Sequence, residues 1–172
     1  MIESFMTKIS IVDIIHDTTV DGPGFRTSIY AAGCIHKCLK CHNPESWDIH
    51  KGRHYVVDEL VDLVTLSEFS NVTFTGGDPL IQVKEFAELA GKIKTSTQKN
   101  IWCYTGFTFE QIHKSKKLSQ ILPFIDVLVD GKYIHTLYDE NLRFRGSSNQ
   151  RIIDVQQTLL QKNIVLREEY FT

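Results

Sequence analysis

Apolar positions recur along this chain at two different periods. At helical spacing, Val83, Phe86, Ala87, Ala90 and Ile93 fall on one face, and so do Val57, Leu60, Val61 and Val64. Each set predicts a helix with one buried side. Thr108 and Asp154 are each followed three residues later by a glutamine, Gln111 and Gln157, the spacing of a capping box that opens a shorter helix. Between these segments lie short runs rich in β-branched and aromatic residues: Arg26 to Ala31, Val72 to Thr75, Ile101 to Tyr104, Ile125 to Val129 and Ile164 to Leu166. Strands alternating with helices predict an α/β fold on a mainly parallel sheet with right-handed crossovers. These units are too few to close an eight-stranded barrel.

In parallel architectures the chemistry gathers at the carboxyl ends of the strands. Four polar or glycine-rich segments follow predicted strands here: the cysteine loop after Ala32, Gly76-Gly77-Asp78-Pro79, Thr105-Gly106 and Asp130-Gly131-Lys132. They are expected to converge on one edge of the sheet. The length of 172 residues, with 42% hydrophobic and 23% charged positions, predicts one domain over residues 1–172. A formal charge of -2 without a basic stripe argues against nucleic acid or anionic membrane as a partner. The apolar stretch Ile9 to Ile15 is broken by Ser10 and Asp13; it is short for a membrane span and lacks a cleavage site. A cytoplasmic protein with reduced thiols is therefore expected, with the cysteines available for metal rather than disulfides.

Three of the four cysteines, Cys34, Cys38 and Cys41, form a CxxxCxxC run. Iron-sulfur cubanes usually take four thiolates, so three suggest an iron left open to a substrate or cofactor. A structural zinc knot is the rival reading, with His36 or His42 completing a tetrahedral set. His36, Lys37, Lys40 and His42 supply cations and donors that would tune a cluster, although Lys37 also reads as a solvent-facing side chain. Cys103, beside Trp102 in an apolar run, reads as a small buried hydrophobe. Gly76 and Gly77 permit close backbone approach to a ligand, and Asp78 adds a carboxylate able to orient an ammonium; a plain turn is the alternative. Asp130 and Lys132 could position a cofactor through opposite charges around Gly131, or simply end a strand. No nucleophile-base pair stands out.

The combination of Cys34-x3-Cys38-x2-Cys41 with Gly76-Gly77-Asp78 resembles the radical S-adenosylmethionine superfamily. The resemblance sharpens through Asp21-Gly22-Pro23-Gly24-Phe25-Arg26, Cys41-His42-Asn43-Pro44 with Trp47, Val129-Asp130-Gly131-Lys132 and Gly146-Ser147-Ser148-Asn149-Gln150-Arg151. Together these segments resemble the family of anaerobic ribonucleoside-triphosphate reductase activating proteins, over roughly residues 8 to 153.

The resemblance implies an open, partial (β/α) barrel, followed by a C-terminal helix and strand. It implies that Cys34, Cys38 and Cys41 bind three irons of one [4Fe-4S] cluster while S-adenosyl-L-methionine chelates the fourth. Reductive cleavage of that cofactor would give a 5'-deoxyadenosyl radical, which takes a hydrogen from a glycine of the reductase large subunit. Gly76, Gly77 and Asp78 would lie along the methionine moiety, Lys40, Cys41 and His42 would touch the cofactor, and Asp130 and Lys132 would be further contacts. Lys40 stands where the superfamily often has an aromatic residue, so stacking is not expected there. A low-potential donor such as flavodoxin is the implied electron source. Gly146 to Arg151 either shapes the substrate opening or docks the reductase, or is a structural loop that closes the sheet. The competing functions are an activase for another glycyl-radical enzyme such as pyruvate formate-lyase, a small-molecule radical enzyme resembling 7-carboxy-7-deazaguanine synthase, and a zinc-binding interaction module.

Overall fold

The computed structural model describes residues 6–171. Its strands are β1 (Lys8–Thr18), β2 (Arg26–Ala31), β3 (Arg53–Val56), β4 (Asn71–Gly76), β5 (Ile101–Tyr104), β6 (Val127–Asp130) and β7 (Arg151–Asp154). The helices are α1 (Val57–Thr65), α2 (Val83–Ser96), α3 (Phe109–Lys114) and α4 (Val155–Gln161). All seven strands join one sheet in the order β3-β1-β2-β4-β5-β6-β7.

The central strands β2, β4, β5 and β6 run parallel, while β3, β1 and β2 pair antiparallel on one flank and β6 and β7 on the other. The sheet is thus mixed rather than mainly parallel. The reason lies in the connections. A short link between β1 and β2 can only reverse the chain, whereas parallel neighbours need a crossover of a dozen residues or more. Between β6 and β7 the chain forms irregular structure with one short 3-10 turn and no α-helix, and it returns antiparallel. The expected strand at Ile164 to Leu166 contributes a single bridge, Leu166 to Ile153.

Alternate residues of the same strands serve two clusters, as the two-residue period requires. Ile29, Phe74, Cys103, Leu128 and Ile153 pack with Leu60, Val64, Phe86, Ala90 and Ile93 of α1 and α2 in the main core. Phe74 meets Phe86 edge-to-face at 5.0 Å. Each fully buried Val, Leu, Ile or Phe among them stabilises the fold by about 1.5–3 kcal/mol. On the opposite face Trp102, Val127, Val129 and Ile152 gather with Phe144 and Tyr170. Arg26 is buried there, its guanidinium 5.4 Å from the Trp102 ring centre, donating to Thr73 Oγ1 at 2.5 Å and to the Val72 carbonyl at 2.6 Å. Burial lowers its pKa to about 10.

The caps follow the sequence. Thr108 Oγ1 accepts from Gln111 N–H at 3.3 Å and Gln111 Oε1 accepts from Thr108 N–H at 2.9 Å, and Asp154 Oδ1 accepts from Gln157 N–H at 3.0 Å. Among the described residues no helix is long and apolar enough to cross a membrane.

Candidate functional site

The loop after β2 carries the cysteines, and its base is built backbone on backbone. Gly33 N–H donates to the Ser46 carbonyl at 2.7 Å, Cys34 N–H to Trp47 at 3.1 Å, Gly77 N–H to Ala31 at 2.8 Å and Asp78 N–H to Gly33 at 2.8 Å. This stacking leaves no room for a side chain at Gly77, where a Cβ would stand 2.4 Å from the Gly33 oxygen and 2.9 Å from that of Ser46. Farther along, Lys37 and Lys40 adopt left-handed backbone at φ 47° and 54°. Each immediately precedes a cysteine, at a conformational cost of about 1–2 kcal/mol per residue.

All three thiols are free and half-buried, and they line a cleft of about 760 Å³. Burial pushes the Cys34 and Cys38 thiols up, while backbone N–H groups of His36 and Lys37 beside Cys34, and of Tyr133 beside Cys38, pull the other way. Asn43 N–H donates to Cys41 Sγ at 3.4 Å. Amide donors aimed at sulfur are what a cluster's thiolates use to spread their charge.

The cleft lies at the carboxyl edge of the sheet, as the strand rule predicts. Its wall includes His36, His42, Thr75, Gly76, Gly77, Thr105, Gly106 and Gly131, so all four loops do converge. Lys40, Asp78, Asp130 and Lys132 are not part of that wall. Asp78 is fully buried: its oxygens accept from Leu80 N–H (2.9 Å), Thr105 Oγ1 (2.9 Å), Gly106 N–H (3.1 Å) and His36 Nε2 (2.7 Å). The expectation that it orients an ammonium is therefore not met in this arrangement.

Asp130 is 1% exposed and accepts from Phe109 N–H at 2.7 Å and from Arg151 Nε at 3.0 Å, so it caps α3 and pairs with Arg151. Lys132 is exposed and does not pair with Asp130 across Gly131, although its charge favours the Cys38 thiolate. Cys103 is buried in the main core, outside the cleft wall, and burial pushes its thiol pKa up.

The two histidines of the zinc reading both have other contacts. Among the described residues no three His, Cys, Asp or Glu side chains close around one metal ion. His36 is held by Asp78, and His42 packs against Tyr133 and Tyr138 at 4.9 and 6.2 Å between ring centres.

Sequence reasoning missed Tyr30, Tyr104, Tyr133 and Tyr138, which also line the cleft. An aromatic residue two positions after Gly131 was the one available signal. Gly146 to Arg151 is fastened to the loop after β6. Gln150 Oε1 accepts from Gly146 and Ser147 N–H at 2.9 and 3.1 Å, and its Nε2 donates to the Gly131 carbonyl at 3.0 Å. Asn149 Nδ2 donates to Lys132 O at 2.8 Å, and Ser147 Oγ accepts from Ile134 N–H at 3.1 Å. The segment thereby holds Tyr133 beside Cys38.

Comparison with known proteins agrees with this site. Residues 20–153 match the family model described as a 4Fe-4S single cluster domain. The anaerobic ribonucleoside-triphosphate reductase-activating protein of Vibrio cholerae is 35% identical over 143 residues, covering 77% of this chain and 90% of that protein. Its namesake from Enterobacteria phage T4 is 37% identical over 139 residues, 77% of this chain and 86% of the relative. That of Escherichia coli strain K12 is 33% identical over 141 residues, 76% and 89%. With all four convergent segments, the cysteine loop among them, inside the matched span, the chain belongs to the 4Fe-4S single cluster family and to the anaerobic ribonucleoside-triphosphate reductase-activating proteins.

Proposed function

We propose that this chain activates an anaerobic ribonucleoside-triphosphate reductase by generating a glycyl radical on its large subunit, as a radical S-adenosylmethionine oxidoreductase. One observation carries the reading: three free thiols, each with a backbone N–H near its sulfur or on it, stand at a cleft large enough for a nucleoside cofactor, and the remaining thiol is locked in the core. This donor set fits a [4Fe-4S] cluster with one iron lacking a protein ligand. Cys34, Cys38 and Cys41 would hold it, and S-adenosyl-L-methionine would lie beside it. When bound, the cluster and S-adenosyl-L-methionine would together supply one-electron radical chemistry for removing hydrogen from the partner's glycine.

The chain's own residues bind, orient and exclude water. Gly76 and Gly77 offer bare backbone along the cleft, and the Tyr30 and Tyr104 side chains wall it on the sheet face. The half-open sheet, read as a partial barrel, leaves a side through which a glycine-bearing loop reaches the cofactor. On the outer side of the cysteine loop, Ile35 and Leu39 are 64% and 77% exposed next to Lys37 and Lys40. An apolar, basic rim of this kind suits an acidic low-potential carrier such as flavodoxin. A reducing cytoplasm is the compartment that such chemistry needs.

The test is electron paramagnetic resonance on the anaerobically reconstituted, dithionite-reduced protein before and after S-adenosylmethionine, followed by the partner reductase. A cluster signal that shifts with the cofactor, and then a doublet from a carbon-centred radical on the reductase, is expected. One zinc per chain without labile sulfide would sink the proposal.

A further inference from the structure

Asp78 works inside the protein, and its neighbour His36 is the residue that gives that work a purpose. A carboxylate offers about four acceptor directions. Four donors meet it here, from Leu80 N–H, Thr105 Oγ1, Gly106 N–H and His36 Nε2, at 2.9, 2.9, 3.1 and 2.7 Å. Since a carboxylate only accepts, Nε2 carries the hydrogen in this pair.

His36 stands two residues after Cys34 and two before Cys38, with its side chain 6% exposed. The ring packs edge-on against Phe107 at 4.6 Å. On its other side is Gly106, where a Cβ would come within 2.4 Å of the imidazole Cδ2. The ring therefore fills a fitted slot between residues of the β5 loop, and its one polar contact is to the β4 loop.

We propose that His36 is a positioning residue for the cluster. Its Nε2–H bond to Asp78 pegs the CxxxCxxC loop to the ends of β4 and β5 and so sets where the three sulfurs stand relative to the cleft. Asp78 is the anchor of that peg, not a direct partner of the cofactor ammonium. The inference rests on the cluster reading of Cys34, Cys38 and Cys41.

Four variants test it: His36→Leu, which keeps bulk and removes the donor; His36→Gln, whose amide reaches the Nε2 position; Asp78→Asn; and the His36→Leu/Asp78→Asn double variant. Each is reconstituted anaerobically. Iron loss to a chelator, the midpoint potential and spectrum of the reduced cluster, and S-adenosylmethionine affinity are then measured, with the melting temperature of the metal-free chain as a control. Groups that orient ligands from behind typically change metal affinity 10–100-fold. His36→Leu is accordingly expected to lose iron about tenfold faster or more, with a shifted potential and spectrum, and His36→Gln to restore most of both. Asp78→Asn should behave like His36→Leu, and the double variant no worse than either, because one coupled unit is lost once.

Wild-type iron loss and spectrum in His36→Leu would overturn the proposal. So would an Asp78→Asn variant whose only defect is weakened S-adenosylmethionine binding. If His36→Leu does not fold, His36→Asn takes its place, with the same amide one methylene too short to reach Asp78. Failure of the wild-type chain itself to assemble a cluster would instead strike the function proposed above.

Discussion

Replacing Gly77 by alanine tests whether the cysteine loop is held by bare backbone contact. The backbone of Gly77 is not in the left-handed region, so the substitution carries only a steric cost. A Cβ at 2.4 Å from the Gly33 oxygen must move about 1 Å to reach an ordinary carbon–oxygen distance of about 3.3–3.6 Å. Both atoms that block it belong to main chain, from Gly33 and Ser46, and neither can swing aside. A shift of that size breaks the Asp78 N–H to Gly33 bond at 2.8 Å and strains the Gly33 N–H to Ser46 bond at 2.7 Å.

Two hydrogen bonds at about 1 kcal/mol each and overpacking of about 1–3 kcal/mol come to about 3–5 kcal/mol. In a chain of this size that lowers the melting temperature by about 10 °C. Calorimetry on the metal-free protein reads the stability, and iron and sulfide per chain after reconstitution read the loop. Gly24→Ala is the control. Nothing lies within 4 Å of a Cβ there, and only its φ of +69° opposes the change. That costs about 1–2 kcal/mol and should leave the cluster whole. If Gly77→Ala melts within a degree or so of wild type and loads full iron, or if Gly24→Ala is the worse of the two, the steric reasoning is wrong.

Cys34→Ala, Cys38→Ala and Cys41→Ala should each abolish stable cluster assembly, whereas Cys103→Ala should keep full iron content and lose only about 1 kcal/mol of stability; iron analysis and urea titration decide, and a cluster lost with Cys103 would make it a ligand. Arg151→Met strips the partner from a carboxylate that is 1% exposed, and should cost about 3 kcal/mol in urea unfolding, with Asp130→Asn recovering part of it; additive effects of the two changes would deny the pair. Glu110, held mainly by its hydrogen bond to Arg151, has its pKa lowered from 4.5 to about 2. A depressed carboxylate stabilises the fold fully above its unfolded pKa and loses that contribution as pH falls towards about 2. Because its side chain is 51% exposed, solvent screening limits the effect to about 1 kcal/mol or less. The stability gap between metal-free wild type and Glu110→Gln should be flat above pH 5 and close near pH 2, and a gap that persists undiminished into acid contradicts the assignment.

The helices α1 and α2 were legible because a single period runs through each. β1 was not, although it is the longest strand at 11 residues. Its register slips between Ile11 and Asp13, and again between Ile15 and Thr18. A bulge changes which face successive residues present, so Ile9 and Ile11 point to the core while the apolar sequence continues into the half-open positions Ile14 and Ile15. The alternation that marks a strand is erased at the place where it would be sought. β3 and β7 fail for a simpler reason: four residues, two of them charged in β7 and none fully buried in β3, carry no period at all. Strand direction was likewise hidden, since it is set by what the connection must span rather than by the strand's own residues.

In the site, the cysteine run stands out in the sequence because its spacing is local, whereas the surroundings of the carboxylates are hidden because theirs is not. Asp78 finds three of its four donors 27, 28 and 42 residues away, and Asp130 finds Phe109 and Arg151 each 21 residues away. A carboxylate in a glycine-rich turn has two possible uses, and burial decides between them. Removing it from water is tolerable only if its lone pairs meet donors, so a fold that buries Asp78 completely must also bring those donors to it. Once they are in place, the charge that looked ready for a ligand has become the tie between three loops. The glycines of the same segment, Gly76 and Gly77, have no side chain to bury, and their backbone stays on the cleft wall. One short motif thus divides its labour: the glycines leave bare backbone on the cleft wall, and the aspartate ties the β4, β5 and cysteine loops together.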